Sequence, residues 1–265
     1  MEKLEILFPA AGEKPKEKKE KETPWQVAPY EKAWIRSMDL TLGTDDRRIY
    51  QEMDRDPSTL KFMVGEPMTE EDLDSFAVEN NDPGKERIIY AVTSEKSQGK
   101  KMEGWVMLYP EGAGRIEEVS EKGFYDFPPD ANVIEVSYAR YLDKKVADEE
   151  KERGLISSAL RQVCYTYGLI DEEIISKIKT KKTIAPKIFF VAYTDPANSS
   201  SDRLLDKSLF EKRGQLQYDV DSEKLDDFWV LDWEKLFAYF GAKDEAQAEE
   251  MIRQLGAKNK RYYRA

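Results

Sequence analysis

Histidine does not occur anywhere in this chain of 265 residues. That absence excludes Ser–His–Asp and Cys–His nucleophilic systems, histidine-ligated zinc, and any imidazole acid or base. Cysteine occurs once, as Cys164, which excludes disulfides within the chain and paired-thiol metal motifs. No metal site is expected. Cys164 falls in ALRQVCYTYG at the spacing of a buried helix residue, so it is read as core filler rather than a reactive thiol. No apolar run approaches the ~18 residues needed to cross a bilayer. The opening MEKLEILFPAAG has only a short apolar patch flanked by glutamates, unlike the core of a secretory leader. A cytoplasmic location and no membrane partner are expected.

Charge, by contrast, is abundant. The chain carries 42 basic and 53 acidic residues, for a net charge of −11, and its mean hydropathy is −0.72. The excess of acid argues against nucleic acid as a partner and favours a cationic acceptor, such as an amine or a basic protein segment. The length is sufficient for one large domain with a sizeable core.

Residues 10 to 28 are rich in Lys, Glu and Pro and too poor in apolar side chains to offset the entropy of ordering. Residues 1–29 are therefore read as a flexible charged tail, 30–241 as the folded domain, and 242–265 as a helix with a basic tail. Within the domain, EKAWIRSMDLTL reads as a first strand and Asp45 to Arg55 as a helix stopped before Pro57. Thr69 is a candidate N-cap for a helix reaching about Glu79. A turn at Asn80-Asn-Asp-Pro-Gly follows, then a hairpin from Arg87 to Thr93 and Glu103 to Tyr109. Ile116 to Asp126 reads as another short strand. Val133 to Tyr141 is a buried strand, followed by a charged loop and an amphipathic helix from about Gly154. A short helix in LIDEEIISKIKTKK precedes an apolar strand from Lys187 to Thr194. The remainder reads as a helix over Asp202–Phe210, strands over Gln215–Val220 and Phe228–Trp233, and two short terminal helices.

The strand, glycine and helix around residues 133–161 leave free backbone N–H groups at a helix start, which suit a phosphate or pyrophosphate. An ordinary strand–loop–helix unit without a ligand fits the same pattern. The letters EVSY and GLISSALR resemble the central strand and helix start of GNAT-superfamily N-acetyltransferases. Within that superfamily they resemble the branch containing the ribosomal-protein alanine and spermidine acetyltransferases. Lys151, Gly154 and Ile156 stand at the positions of its R/Q-x-x-G-x-G/A motif, Ile156 replacing a small residue. A second segment, KIFFVAYTDPANSSSDRLLDKSLF, resembles the next strand and helix of the family. There Asn198, Ser201, Leu205, Asp206 and Lys207 match in offset. Leu209 stands where the family has the Gly of Gly-Phe, and the helix is expected to run one turn longer. The resemblance covers residues 34 to 233. It implies an α/β (α+β) fold with a mixed, mostly antiparallel central sheet of about six to seven strands flanked by helices. The order of elements read along the chain is the same, independently of these letters.

The resemblance further implies acetyl transfer from acetyl-CoA, a cosubstrate, to a small amine or a protein amino group. The coenzyme would lie along Val136, Ser137, Tyr138 and Ala139, where the strand splays from its neighbour and a main-chain amide serves the oxyanion. Lys151, Arg153, Gly154, Leu155, Ile156, Ser157 and Ser158 would surround the pyrophosphate, with Asn198 and Ser201 near the pantetheine. Several residues admit a second reading from sequence. Glu135, a carboxylate in an apolar strand, is the candidate base, but it could equally face solvent or tie down a neighbouring strand. Tyr138 is either a group near the thiol or a core tyrosine. Asn198 is either a coenzyme ligand or a helix cap, and Ser157 and Ser158 divide the same way. Ile156 would crowd the phosphates or turn inward; its spacing with Leu155, Ala159 and Leu160 favours the core. A GNAT-fold protein that binds an acyl-CoA without chemistry, and an interaction module with a vestigial cleft, are the alternative functions.

Overall fold

The computed structural model describes residues 31–57, 67–80, 88–94, 101–141, 154–168, 188–217 and 224–240. The charged tail, the 80–84 turn beyond its first residue, the hairpin loop, the loop preceding Gly154, the helix expected in 169–182 and the second terminal helix lie outside the described residues.

Alternating apolar positions build seven strands: β1 (Ala33–Ser37), β2 (Ile88–Ser94), β3 (Gly104–Pro110), β4 (Asn132–Arg140), β5 (Ile188–Thr194), β6 (Phe210–Gln217) and β7 (Leu225–Leu231). They form a single sheet in the order β1-β2-β3-β4-β5-β7-β6. Every neighbouring pair is antiparallel except β4 and β5. The expected mixed, mostly antiparallel sheet is what forms. Six helices are described: α1 (Asp45–Asp54), α2 (Glu70–Asn80), α3 (Ala113–Glu121), α4 (Leu155–Gly168), α5 (Ser199–Lys207) and α6 (Trp233–Phe240). None is long and apolar enough to cross a membrane.

Helix starts follow local chemistry. Thr44 caps α1, its hydroxyl accepting from the Arg47 amide at 3.3 Å. Thr69 and Asp72 cap α2 reciprocally: the Asp72 amide donates to Oγ1 of Thr69 at 3.1 Å, and the Thr69 amide to Oδ2 of Asp72 at 3.0 Å. Arg47 of α1, almost fully buried, joins the two helices through Glu70 at 2.9 Å and Asp74 at 2.6 Å.

Three expectations are corrected. Ile116 to Asp126 is not a strand: Ala113–Glu121 is helical, because Ile116 and Val119 lie three apart and turn one apolar face to the sheet. The helix expected over Asp202–Phe210 does not run longer; it spans Ser199–Lys207, and Phe210 already begins β6. Leu209 makes the turn that glycine makes in the family, taking φ 71 in the left-handed region. Its amide donates to the Asp206 carbonyl at 3.0 Å and its carbonyl accepts from Asp232 at 2.9 Å, which holds it there. The last strand ends at Leu231, and Trp233 opens α6 instead.

The two faces of the sheet differ. On one, Leu155, Ile156, Ala159, Leu160, Val163 and Cys164 of α4 pack with Ile134 and Val136 of β4 and Phe190 of β5. Phe240 and Trp233 of α6 close the same cluster. Arg161 pins α4 in place, reaching both carboxylate oxygens of buried Glu31 at 3.1 and 2.9 Å and the Lys207 carbonyl at 2.7 Å. On the other face, α1 and α2 cover one end, over Trp105 and Ala91. There α3 covers the other end, over Val133, Phe189 and Val191.

Ile156 is 2% exposed and lies in the main core, so it turns inward, as its spacing suggests. It presses on β3 where Gly104 leaves room. A Cβ at Gly104 would sit 2.5 Å from Cδ1 of Ile156 and 2.6 Å from the Ala139 carbonyl oxygen. Gly104→Ala should therefore cost ~1–3 kcal/mol through overpacking against a backbone that cannot yield. Ile156→Ala should cost ~2–5 kcal/mol by leaving a cavity. Urea melts of both variants check these magnitudes.

Candidate active site

The one parallel pairing is short. Strands β4 and β5 are in register from Asn132↔Ile188 to Glu135↔Val191 and part after that. Val136 to Arg140 keep their β3 partners but have none on β5. Glu135 thus stands at the apex of a V whose walls are the rest of β4 and the Ala192–Thr194 end of β5. Parallel strands usually bury both faces beneath helices; here their separation opens a strand edge.

Glu135 points to the face shared by α1, α2 and α3. Along that face β4 presents Val133, Glu135, Ser137 and Ala139 in turn. Val133 belongs to the apolar cluster under α3, and Ala139 packs against the cluster under α1 and α2. Glu135 and Ser137 therefore occupy the seam between two apolar clusters. From β3, Tyr109 sits opposite Glu135 in register, on the same face of the sheet. The Tyr109 and Ser137 hydroxyls are 3.3 Å apart. Across the V, Tyr193 of β5 donates to Oε2 of Glu111 at 2.7 Å, and the Arg115 guanidinium lies 5.3 Å from the centre of the Tyr193 ring.

Burial dominates the electrostatics of the seam and pushes the Glu135 carboxyl from its ordinary 4.5 up to about 7. The Tyr109 hydroxyl opposes that shift, Glu111 and Asp226 add to it, and Arg115 offsets them in part. Tyr109 and Tyr193 are driven well above the ordinary phenol range, by burial first and by Glu135 and Glu111 next, so both remain donors. Burial also raises Asp226, aided by Asp195 and Asp227 against Lys224 and Arg115.

The remaining expected site residues divide. Tyr138 faces away from Glu135, toward α4 and α5, as alternation along a strand requires. Its buried hydroxyl ends near Ser201 in the first turn of α5, with no hydrogen bond of normal geometry. The structure does not bring Glu135 and Tyr138 to one face. Val136 is core, and Ser137 and Ala139 are half-buried. Gly154 is exposed at φ 78, a left-handed conformation that favours glycine, and α4 begins directly after it. The Ser158 amide donates to the Gly154 carbonyl at 3.0 Å. The amides of Leu155, Ile156 and Ser157 precede it, as donors that a helix leaves without an intrahelical acceptor.

The Leu155 and Ile156 side chains lie in the core. The Ser157 hydroxyl donates to the Gly154 carbonyl at 3.0 Å. Ser158 is corrected from phosphate donor to structural anchor. Its Oγ accepts from the Lys32 and Ala33 amides, both at 3.0 Å, and from Gln162 at 3.2 Å. Asn198 is the N-cap of α5, its Oδ1 accepting from the Ser201 amide at 3.2 Å. Lys151 and Arg153 lie outside the described residues.

Sequence reasoning missed Tyr109, Glu111, Arg115, Tyr193 and Asp226. The Tyr109–Glu111 alternation at the end of a hairpin strand was the available signal, but its register against β4 was not.

No protein-family model and no curated protein matches the chain. Solved structures do. The aminoglycoside acetyltransferase AAC(6')-Ib in complex with ribostamycin and coenzyme A aligns with a TM-score of 0.53 at 14% identity, covering 80% of this chain and 99% of that one. The same enzyme with paromomycin and acetyl-CoA gives 0.52 at 14% identity, with coverage of 80% and 99%. An uncharacterized protein from Bacillus halodurans gives 0.50 at 12% identity, covering 89% of this chain and all of that one (100%). The chain has a GNAT-like α/β fold. At these identities the likeness is one of fold. In this GNAT-like frame Glu135 stands where β4 and β5 part.

The elevated Glu135 carboxyl has a consequence for stability. Its folded value near 7 exceeds the ordinary 4.5, so between those values the folded state binds more protons than the unfolded chain. Stability should fall as pH rises through that window, by on the order of 1–3 kcal/mol from this group. Urea melts at pH 5 and pH 8 should show the Glu135→Gln variant losing that part of the dependence and gaining on the parent at pH 8.

Proposed function

We propose that the protein is an N-acetyltransferase, moving an acetyl group from acetyl-CoA to an amine in the cytoplasm. The observation that carries this reading is the parting of β4 and β5 at Glu135 in a GNAT-like sheet. Glu135 is the proposed base: a carboxyl whose value lies close to the working pH both accepts a proton readily and returns it. The unpaired edge of Ser137–Ala139 is the proposed source of a main-chain amide aimed at the carbonyl oxygen as charge builds on it.

Val136–Ala139 would hold the pantetheine by the same edge. The amides after Gly154, with Lys151 and Arg153, would hold the pyrophosphate at the positive end of α4. Asn198 and Ser201 would bound the pantetheine arm from the start of α5. Acetyl-CoA, when bound, supplies the activated acyl group. The AAC(6')-Ib structures contain the coenzyme together with aminoglycosides, which are amine-bearing acceptors. The motif letters point instead to the ribosomal-protein alanine and spermidine acetyltransferase branch. Both indicate an amine, and the net charge of −11 suits a cationic one.

Acetyl-CoA should raise the melting temperature of the parent protein, since a ligand selective for the folded state stabilises it. Gly154→Glu should abolish the rise by placing bulk and negative charge at the anion site. Spermidine, an alanine-terminated peptide and kanamycin serve as acceptor probes. With whichever is acetylated, Glu135→Gln should lower turnover ~10²-fold or more while preserving the thermal shift. A thermal shift without turnover on any amine would identify an acyl-CoA-binding protein instead. No shift at millimolar acetyl-CoA would remove the coenzyme reading altogether.

A further inference from the structure

Burial alone would leave Glu135 unable to serve as a base. A carboxyl held in an apolar seam is driven toward its neutral form, and a neutral acid has nowhere to put a proton. The surroundings make matters worse on most sides. Glu111 follows β3, Asp226 lies on β7, and both repel a charge on Glu135. Tyr193 of β5 is committed to Glu111. From α3, Arg115 divides its charge between Glu118 at 3.0 Å, the Gln217 carbonyl and the face of Tyr193. Lys224 lies on the far side of the V and pairs with Asp195 at 3.2 Å. Besides Arg115, the group that favours the charged form of Glu135 stands beside it on the neighbouring strand. It is Tyr109, placed opposite Glu135 by the β3–β4 register.

We propose that Tyr109 is a positioning residue for the transfer reaction, its hydroxyl linking Glu135, opposite it in register, to Ser137 one residue pair further along the strand. This proposal deepens, and rests on, the reading of Glu135 as the base. The directions of the hydrogen bonds it requires follow from the chemistry. The phenol of Tyr109 remains protonated, so toward a carboxylate, which can only accept, it acts as the donor. Its oxygen is then left to accept, and the Ser137 hydroxyl, 3.3 Å away, is the donor. Ser137 lies one ladder step beyond the apex, on the part of β4 that β5 has released. A proton leaving an amine at that edge can pass to Ser137 as the proton of Ser137 passes to Tyr109 and that of Tyr109 to Glu135. One proton moves from nitrogen to carboxylate, both hydroxyls are restored, and no charge rests on either.

The test uses the full chain with carboxyl-labelled glutamate and follows Glu135 by NMR, assigned by its loss in Glu135→Gln. In the parent its midpoint should lie near 7. Tyr109→Phe keeps the ring and removes only the hydroxyl, and it should raise the midpoint by about one unit or more. Ser137→Ala, which removes the donor to Tyr109, should raise it by less. A midpoint unmoved or lowered in Tyr109→Phe overturns the proposal, even if that variant melts at a lower temperature: loss of a donor disfavours the charged form and raises the midpoint, whereas water admitted by looser packing would lower it. Should Tyr109→Phe fail to fold, the sign of the Ser137→Ala change decides: a rise supports the connection and no change overturns it. Acetyl-CoA thermal shifts on the same samples separate the two readings. Loss of the shift in the parent defeats the proposed function, whereas a fixed midpoint with an intact shift defeats only the role of Tyr109.

Discussion

Everything at the candidate site depends on where two parallel strands stop pairing. Each strand must satisfy its backbone donors and acceptors somewhere. β4 is paired on one side by β3 from Ile134 to Arg140, so it remains extended after β5 leaves it. β5 in turn is held by β7 through Val191–Thr194, on the edge away from β4. Neither wall of the V needs the other to stay extended. A gap can therefore persist inside a continuous sheet without local unfolding, and its exposed main-chain groups are available to a ligand. The turn of α4 is fixed equally firmly, by Ile156 against Gly104 and by Ser158 on the β1 amides.

Much of the fold was legible in the sequence because its signals are local. Strand alternation in Val133–Tyr141, the Thr44 and Thr69 helix starts, and the apolar run before Pro196 each need only neighbouring residues to be understood. The strand misread at Ile116 shows the limit. Ile116 and Val119 lie three apart, a spacing that fits one helix face and not strand alternation, but two apolar positions are too few to set a period, and the packing of Val119 under the sheet decides it. Glu135 was visible as a charge out of place in an apolar strand. Tyr109 was not, because its significance is a register between strands more than twenty residues apart in sequence. The two readings of Ser158 could not be divided for a related reason: its partners at Lys32 and Ala33 lie at a sequence separation of 126 and 125 residues.

Leu209 illustrates how a fold can hold a left-handed turn without glycine. The left-handed conformation costs a non-glycine residue ~1–2 kcal/mol. Two backbone hydrogen bonds and packing against the main core hold it in place. A departure from the family letters at this point is thus a change in how the turn is stabilised, and the path of the chain into β6 is unchanged.

The Arg161–Glu31 pair bears on where the folded unit begins. Glu31 precedes the first strand, yet it is only 4% exposed and answers a guanidinium that also bonds the Lys207 carbonyl and lies 4.6 Å from the centre of the Tyr239 ring. Removing one member of a buried ion pair strands the other, at a cost of ~3–5 kcal/mol. The hydrogen-bonded ladder takes in Ala33, but the charge balance of the core also needs Glu31, two residues before it. A version trimmed to the first strand would keep every described strand and helix while leaving an uncompensated cation where α4, α5 and α6 meet. What the core requires ahead of β1 is thus a matter of electroneutrality and not of secondary structure.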